Sequence, residues 1–203
     1  MQTILLATRN RKKCAELQAL LVEVDGQFRL LTVDDVDSDL PEVEEDGETF
    51  AENARKKAVM LARASGLLTL ADDSGLSVDA LDGAPGVYSA RFAGEPSNDA
   101  ANNALLLQKM AAVTDRTAHF HCVLALARPD GACQTVSGIC DGTLQATPSG
   151  NGGFGYDPLF VPDGFTCTFA DMPANDKHRI SHRGKALQAA VHAWVKDGSF
   201  QLA

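Results

Sequence analysis

Asp72 and Asp73 stand side by side directly after an apolar run, Leu67-Leu68-Thr69-Leu70-Ala71, and are followed at once by Ser74 and Gly75. Two carboxylates this close repel, and a chain tolerates them at the mouth of a buried strand mainly where a cation or a proton resolves the conflict. The Asp-Asp-Ser-Gly string is therefore a candidate metal and general-base site. Its oxygens suit Mg2+, which takes one or two carboxylates, keeps several waters and uses the phosphate oxygens of its substrate. Glu44, Glu45 or Glu48 can supply a further ligand. The same letters also make an ordinary turn or cap, so the string decides nothing by itself.

Three other segments carry chemistry. Thr8-Arg9-Asn10-Arg11-Lys12-Lys13 opens a helix, where backbone N–H groups, a hydroxyl, an amide and several cations can meet an anion. Cations at a helix N-terminus are electrostatically misplaced unless they serve such a ligand. No G-x-x-x-x-G-K-[ST] string occurs in the chain, which excludes a P-loop nucleotidase. Gly152-Gly153-Phe154-Gly155-Tyr156-Asp157 sets two aromatics among small residues, so a planar ligand can lie on a ring while Asp157 accepts from a ring N–H. The competing reading is a turn with its rings packed inward. His182 and Arg183, with Lys177 upstream, can donate to the carbonyl oxygens of a base or to phosphate. His178 and His182 have i,i+4 spacing but lack the H-E-x-x-H pattern, and His119-x-His121 alternates along a predicted strand, so neither reads as a zinc site.

The elements that must position these residues follow from periodicity. A strand over Thr3 to Ala7 leads through a tight turn into a helix carrying Cys14, Leu17, Leu20 and Leu21, and a second strand covers Phe28 to Val33. Thr49-x-x-Glu52 is a capping box for a helix through Ala54, Ala58, Leu61 and Ala62 that stops at Gly66. The strand Leu67 to Ala71 then ends on the aspartate pair. A helix over Asp99 to Met110 precedes a hairpin of His119 to Ala127 and Ala132 to Ile139 about Pro129-Asp130-Gly131. Further strands are expected at Thr143 to Thr147 and Leu159 to Val161, and a last helix over His182 to Val195. Alternating helices and strands followed by consecutive strands predict a mixed α/β fold, a mixed sheet flanked by helices.

Composition narrows the class. The 203 residues, 45% of them hydrophobic, suit one soluble domain, with two lobes at most. The first apolar run is too short for a signal peptide or anchor, so a cytoplasmic protein is expected. Five widely spaced cysteines without a C-x-x-C pair read as reduced thiols. The net charge of −9 argues against a nucleic-acid binder. Nine of the 27 acids lie between Asp34 and Glu48, leaving 18 acids against 18 bases elsewhere. One acidic segment and two basic ones suit a metal-dependent enzyme acting on a polyphosphate.

Taken together and in order, these segments resemble the inosine/xanthosine triphosphate pyrophosphatases. The matching pieces are Leu6 to Lys13, Thr49-Phe50-x-Glu52-Asn53-Ala54, Ala71 to Leu76, Gly83-Ala84-Pro85-Gly86-Val87-Tyr88-Ser89-Ala90-Arg91, Gly152 to Pro158 and Ile180 to Ala186. The resemblance implies Mg2+-dependent hydrolysis of dITP, ITP and XTP to the monophosphate and pyrophosphate. It implies an elongated fold of two lobes with the site in the cleft between them, and a homodimer. It also implies that Asp73 is general base and metal ligand, that Glu45 or its neighbour Glu44 completes the metal site, and that Ser74 touches substrate. Thr8, Arg9, Asn10, Arg11, Lys12, Lys13 and Lys177 would hold phosphates and sugar; Phe154, Gly155, Tyr156, Asp157, His182 and Arg183 would hold the base. Hypoxanthine and xanthine carry a 6-oxo group where adenine carries an amine, so donors at His182 and Arg183 would reject adenine. Guanine shares that oxygen, and its exclusion would come from crowding or an unmatched contact near its 2-amino group. The chain departs from the family at Arg9, where Gly is common, at Cys140-Asp141-Gly142, where Trp-Pro-Gly is common, and at Asp176, where Glu is common.

Overall fold

The computed structural model describes residues 2–22, 28–36 and 40–196. Asp37 and Asp39 of the acidic stretch lie outside the described residues. The strands are β1 (Gln2–Leu6), β2 (Phe28–Thr32), β3 (Leu68–Val78), β4 (Thr117–Ala127), β5 (Cys133–Leu144) and β6 (Phe160–Pro162). They form one six-stranded sheet in the order β2-β1-β3-β4-β5-β6. β1 runs parallel to β2 and β3, with Ile4, Leu5 and Leu6 opposite Leu68, Thr69 and Leu70, while β6 is antiparallel to β5. The helices are α1 (Arg11–Val22), α2 (Phe50–Ser65), α3 (Asp99–Lys109), α4 (Ala174–Ile180) and α5 (His182–Ala190), and α5 continues into a π-helical turn, Val191–Lys196. No helix among the described residues is long and apolar enough to cross a membrane.

The chain divides into two compact units. The first comprises Met1–Asp73, Cys122–Gly138 and Arg183–Ala203. Residues 4–6 of β1 and 68–73 of β3 are buried on both faces, as parallel strands covered by helices must be. Ile4, Leu6, Leu68 and Leu70 pack with Leu17, Leu20 and Leu21 of α1 and with Leu187 and Trp194, whereas Leu5, Ala7 and Ala71 pack with Ala54, Ala58, Leu61 and Ala62 of α2. The expected capping box is present: Thr49 Oγ1 accepts from Glu52 N, and the Glu52 carboxylate accepts from Thr49 N. Gly66 closes α2 in the left-handed conformation, φ 69°.

The second unit comprises Ser74–His121 and Ile139–His182. Phe120, Phe160 and Phe169 pack together at its centre, edge-on, tilted and stacked in their three pairings, with Leu76, Leu106, Met110 and Leu159. Its surface carries a histidine clamp. His119 Nδ1 lies 2.7 Å from Asp141 and Nε2 lies 3.2 Å from Asp79, and the Asp141 hydrogen bond, ahead of Asp79, raises the imidazole pKa above its ordinary 6.5. A cation favoured by the fold contributes stability that is complete below the unfolded pKa and is lost as pH rises through the folded one. His119→Gln is therefore expected to lower the melting temperature most at about pH 5.5 and least at about pH 8.5, as read by thermal unfolding across pH.

Two strand boundaries differ from those expected. β3 does not end at Ala71 but runs through Asp72, Asp73, Ser74 and Gly75 to Val78, because Lys13 and Arg183 receive the Asp72 carboxylate and the Ser89 hydroxyl accepts from Leu76 N. β5 is one strand through Gly142 instead of two, since glycine there lets Val161 O and Phe160 approach where a Cβ would collide. Helix α4, which was not anticipated, occupies the segment before the last helix.

Candidate functional site

Strand alternation separates the two aspartates. Leu68 and Leu70 face α1 and α5, and Asp72 continues that row; Thr69 and Ala71 face the other way, and Asp73 continues theirs toward α2. Asp72 is fully buried as a side chain and meets Lys13 Nζ at 2.6 Å, Arg183 Nε at 3.2 Å and Cys122 Sγ at 3.2 Å. Burial alone would raise its pKa, but Lys13 and Arg183 more than reverse this and hold it well below the usual carboxylate range. The Arg183 NH1 donates to Glu16 at 2.8 Å.

Asp73, 4% exposed, has the opposite fate. Burial pushes its carboxyl up to about 6; Lys13 and Lys57 oppose the shift, and the charges of Glu45 and Asp72 add to it. Glu45 itself is ion-paired to Lys57 Nζ. One carboxylate is thus locked as an anion and its neighbour is poised near neutrality, the separation expected of a structural counter-ion and a working base.

The N-terminal turn is organised by Asn10. Its Oδ1 accepts from the backbone N–H groups of Lys12 and Lys13 at 3.0 and 3.2 Å, and Thr8 Oγ1 accepts from Asn10 N at 3.1 Å. Two of the amides expected to face an anion are therefore capped within the chain. Arg9 donates to Leu40 O at 3.4 Å.

In the second unit Lys177, 5% exposed, donates to Asp157 Oδ2 at 2.8 Å and lies 5.4 Å from the Phe154 ring centroid. The same carboxylate oxygen accepts from Phe154 N at 2.7 Å, so Asp157 fixes the turn that carries the ring. Gly153, φ 68°, packs directly on that carboxylate, which leaves no space for a side chain. Tyr156 is buried and donates its hydroxyl to Ser89 O at 2.9 Å. His182 stacks on Phe120 with centroids 4.6 Å apart and planes 10° apart.

The profile of the Ham1 family matches residues 4–193. The chain belongs to the Ham1 family. It is 52% identical over 190 residues to a dITP/XTP pyrophosphatase of Geobacter sulfurreducens, covering 92% of this chain and 94% of the relative. It is 51% identical over 193 residues to a dITP/XTP pyrophosphatase of Streptomyces coelicolor, covering 94% and 96%. The structure of a HAM1 protein from Coxiella burnetii superposes with a TM-score of 0.87 at 39% identity, over 97% of this chain and all of that one. The Staphylococcus aureus Ham1 protein superposes with a TM-score of 0.85 at 36% identity over the same shares.

Within this Ham1 chain the structure gathers Lys13, Glu45, Asp72, Asp73 and Arg183 in the first unit, and Phe154, Gly155, Tyr156, Asp157, Lys177 and His182 in the second. Lys177, expected beside phosphates and sugar, pairs with the aspartate of the aromatic turn. His182 and Arg183, read from sequence as one donor pair, serve different clusters: the ring lies on Phe120 and the guanidinium on Asp72 and Glu16. Two members of the first cluster were not anticipated. Lys57 sits on the buried stripe of α2, between Asn53 and Leu61 at i,i+4 spacing, and a lysine among those apolar positions is a signal the sequence does carry. Glu16 reaches Arg183 across 167 residues, which no local pattern indicates.

The residues present fit a divalent cation. Asp73 and Glu45 repel one another, and the Lys57 ammonium on Glu45 shows where positive charge is favoured. Both offer hard oxygen ligands, and no group of three or more His, Cys, Asp or Glu among the described residues is arranged to hold a metal alone. Two carboxylates completed by water and phosphate oxygens are the Mg2+ pattern.

Proposed function

We propose that this Ham1 protein is a Mg2+-dependent pyrophosphatase that converts dITP, ITP and XTP or dXTP to the monophosphate and pyrophosphate, clearing deaminated purines before they enter DNA or RNA. The chain is a hydrolase, and its relatives named dITP/XTP pyrophosphatase supply the substrate class. The observation that carries the chemistry is the split pair, with Asp73 poised near 6 beside Asp72 held as an anion. Above about pH 6 Asp73 is a carboxylate able to take a proton from an attacking water, as a general base working near neutrality should be. Mg2+, held by Asp73 and Glu45, would neutralise charge on the phosphate oxygens. Lys13, with Thr8 to Lys12, Ser74 and Lys57, would hold the polyphosphate. Phe154, Gly155, Tyr156, Asp157 and Lys177 would hold the base and sugar, and a donor at His182, in the same unit, would match a 6-oxo group and leave adenine's amine facing a donor. By the family resemblance we place the enzyme in the cytoplasm as a homodimer; its net charge of −9 suits action on free nucleotides and not on nucleic acid.

Purified protein given dITP, XTP, dGTP, dATP and dTTP with Mg2+ is expected to release pyrophosphate from dITP and XTP with at least about tenfold preference in kcat/KM over the other three. Turnover confined to dTTP would point to a pyrimidine or modified-nucleotide enzyme, and none at all to a nucleotide-binding module.

A further inference from the structure

The second unit contains a clamp whose two jaws are side chains of one helix. Asp99 and Asn103 lie one turn apart on α3 and so share a face. Asp99 Oδ2 accepts from Gly155 N at 3.0 Å, and Asn103 Nδ2 donates to Gly155 O at 2.9 Å. Both polar backbone groups of a single glycine are thereby held by side chains more than fifty residues away.

Gly155 is where the aromatic turn most needs holding. Its φ is +61° and a Cβ there would meet nothing within 4 Å, so the position has glycine's backbone freedom and no side chain of its own to anchor it. Its neighbours are tied into the same turn: Phe154 N donates to Asp157, the Tyr156 hydroxyl to Ser89 O, and Lys177 to Asp157, so the position of Gly155 bears on how Phe154 and Asp157 are presented. Asn103 also accepts a cost for its bond. Its Oδ1 is buried and receives no hydrogen bond among the described residues, an arrangement that native proteins keep sparingly and usually for a reason.

We propose that Asp99 and Asn103 are positioning residues for the purine base, fixing Gly155 so that the Phe154 ring and Asp157 are presented in one orientation. This rests on the pyrophosphatase reading above. Because the clamp acts on the turn that carries Phe154 and not on Asp73, its loss weakens the hold on the base and leaves the chemical step alone.

Asp99→Ala and Asn103→Ala are each expected to raise KM for dITP about fivefold, the worth of one hydrogen bond, with kcat changed less than about twofold. Inhibition by pyrophosphate, which has no base, is expected to stay at the wild-type level. Asp99→Asn keeps an acceptor for Gly155 N and is expected to restore KM to within about twofold, whereas the isosteric Asn103→Asp removes the donor and is expected to behave like Asn103→Ala. A fall in kcat at constant KM, a parallel loss of pyrophosphate inhibition, or an Asp99→Asn enzyme as impaired as Asp99→Ala overturns the proposal. Failure of the wild type to hydrolyse dITP counts against the pyrophosphatase reading instead. In that event the clamp is read by amide hydrogen exchange at Gly155, expected to be slow in wild type and fast in Asp99→Ala; equal rates reject it.

Discussion

Replacing Asp73 with Asn is expected to lower kcat by about three to four orders of magnitude while making the protein more, not less, stable at neutral pH. The amide keeps the shape and much of the hydrogen bonding of the acid but cannot take a proton, and it is a poor partner for a cation. The stability gain follows from the raised pKa. Asp73 is pushed to about 6 from the ordinary 3.8, first by burial, so between those values the folded state binds more protons than the unfolded one and stability falls as pH rises. Above about pH 6 the full penalty is present, on the order of 2–3 kcal/mol at 1.36 kcal/mol per unit. Asn carries no such penalty. Melting curves in a chelating buffer should therefore show the variant ahead of wild type at pH 7 to 8 and the two converging below about pH 4. Near-native turnover by the variant would remove Asp73 from the role of base, and a variant less stable at all pH values would mean that the carboxylate supports the fold.

How far the sequence reveals this site depends on the range of the interactions that make it. The capping box at Thr49, the Gly66 stop, the hairpin at Gly131 and the opening strand, turn and helix are local, and the folded chain has each of them. The end of β3 is not local. A polar triplet after five mostly apolar residues reads as the close of a strand, and only Lys13, Arg183 and the Ser89 hydroxyl on Leu76 N, all distant in sequence, allow the strand to continue. Helix α4 escaped because Ala174 to Ile180 holds little apolar periodicity, its course being set by Pro173 before it and by Lys177 turned inward. His182 and Arg183 illustrate a different limit. Adjacent letters suggest a joint role, but successive side chains at the start of a helix diverge by about 100°, and here they join separate clusters. By contrast the adjacency of Asp72 and Asp73 was informative, because in a strand the divergence is about 180° and lets one repelling pair meet two environments.

Removing the other carboxylate should have the opposite consequence. Asp72 is the shared counter-ion of Lys13 and Arg183, and a variant that leaves the half-buried Lys13 facing the buried Arg183 is expected to lose about 3–5 kcal/mol of stability. At about 2–4 °C per kcal/mol for a chain of this size, Asp72→Asn should melt about 10 °C lower at pH 7. The sign of the pH dependence separates this from a packing defect. A carboxyl whose folded pKa lies far below 3.8 contributes stability that is complete above the unfolded value and is lost only as pH falls toward the folded one. The gap between wild type and Asp72→Asn should accordingly stay constant from about pH 8 to pH 5 and narrow below about pH 4. A cavity or steric fault would give a gap that does not close. Neutralising the cations as well supplies a second check, because replacing a buried ionic group by apolar residues of similar volume is often neutral. Lys13→Met, Glu16→Gln, Asp72→Leu and Arg183→Met combined should recover most of the stability lost by Asp72→Asn, and on the proposed function, in which Lys13 would hold the polyphosphate, should remain inactive. If this combined variant is no more stable than the single one, the burden lies in shape and not in charge, and the ion pairs of Asp72 do not carry the stability of this cluster.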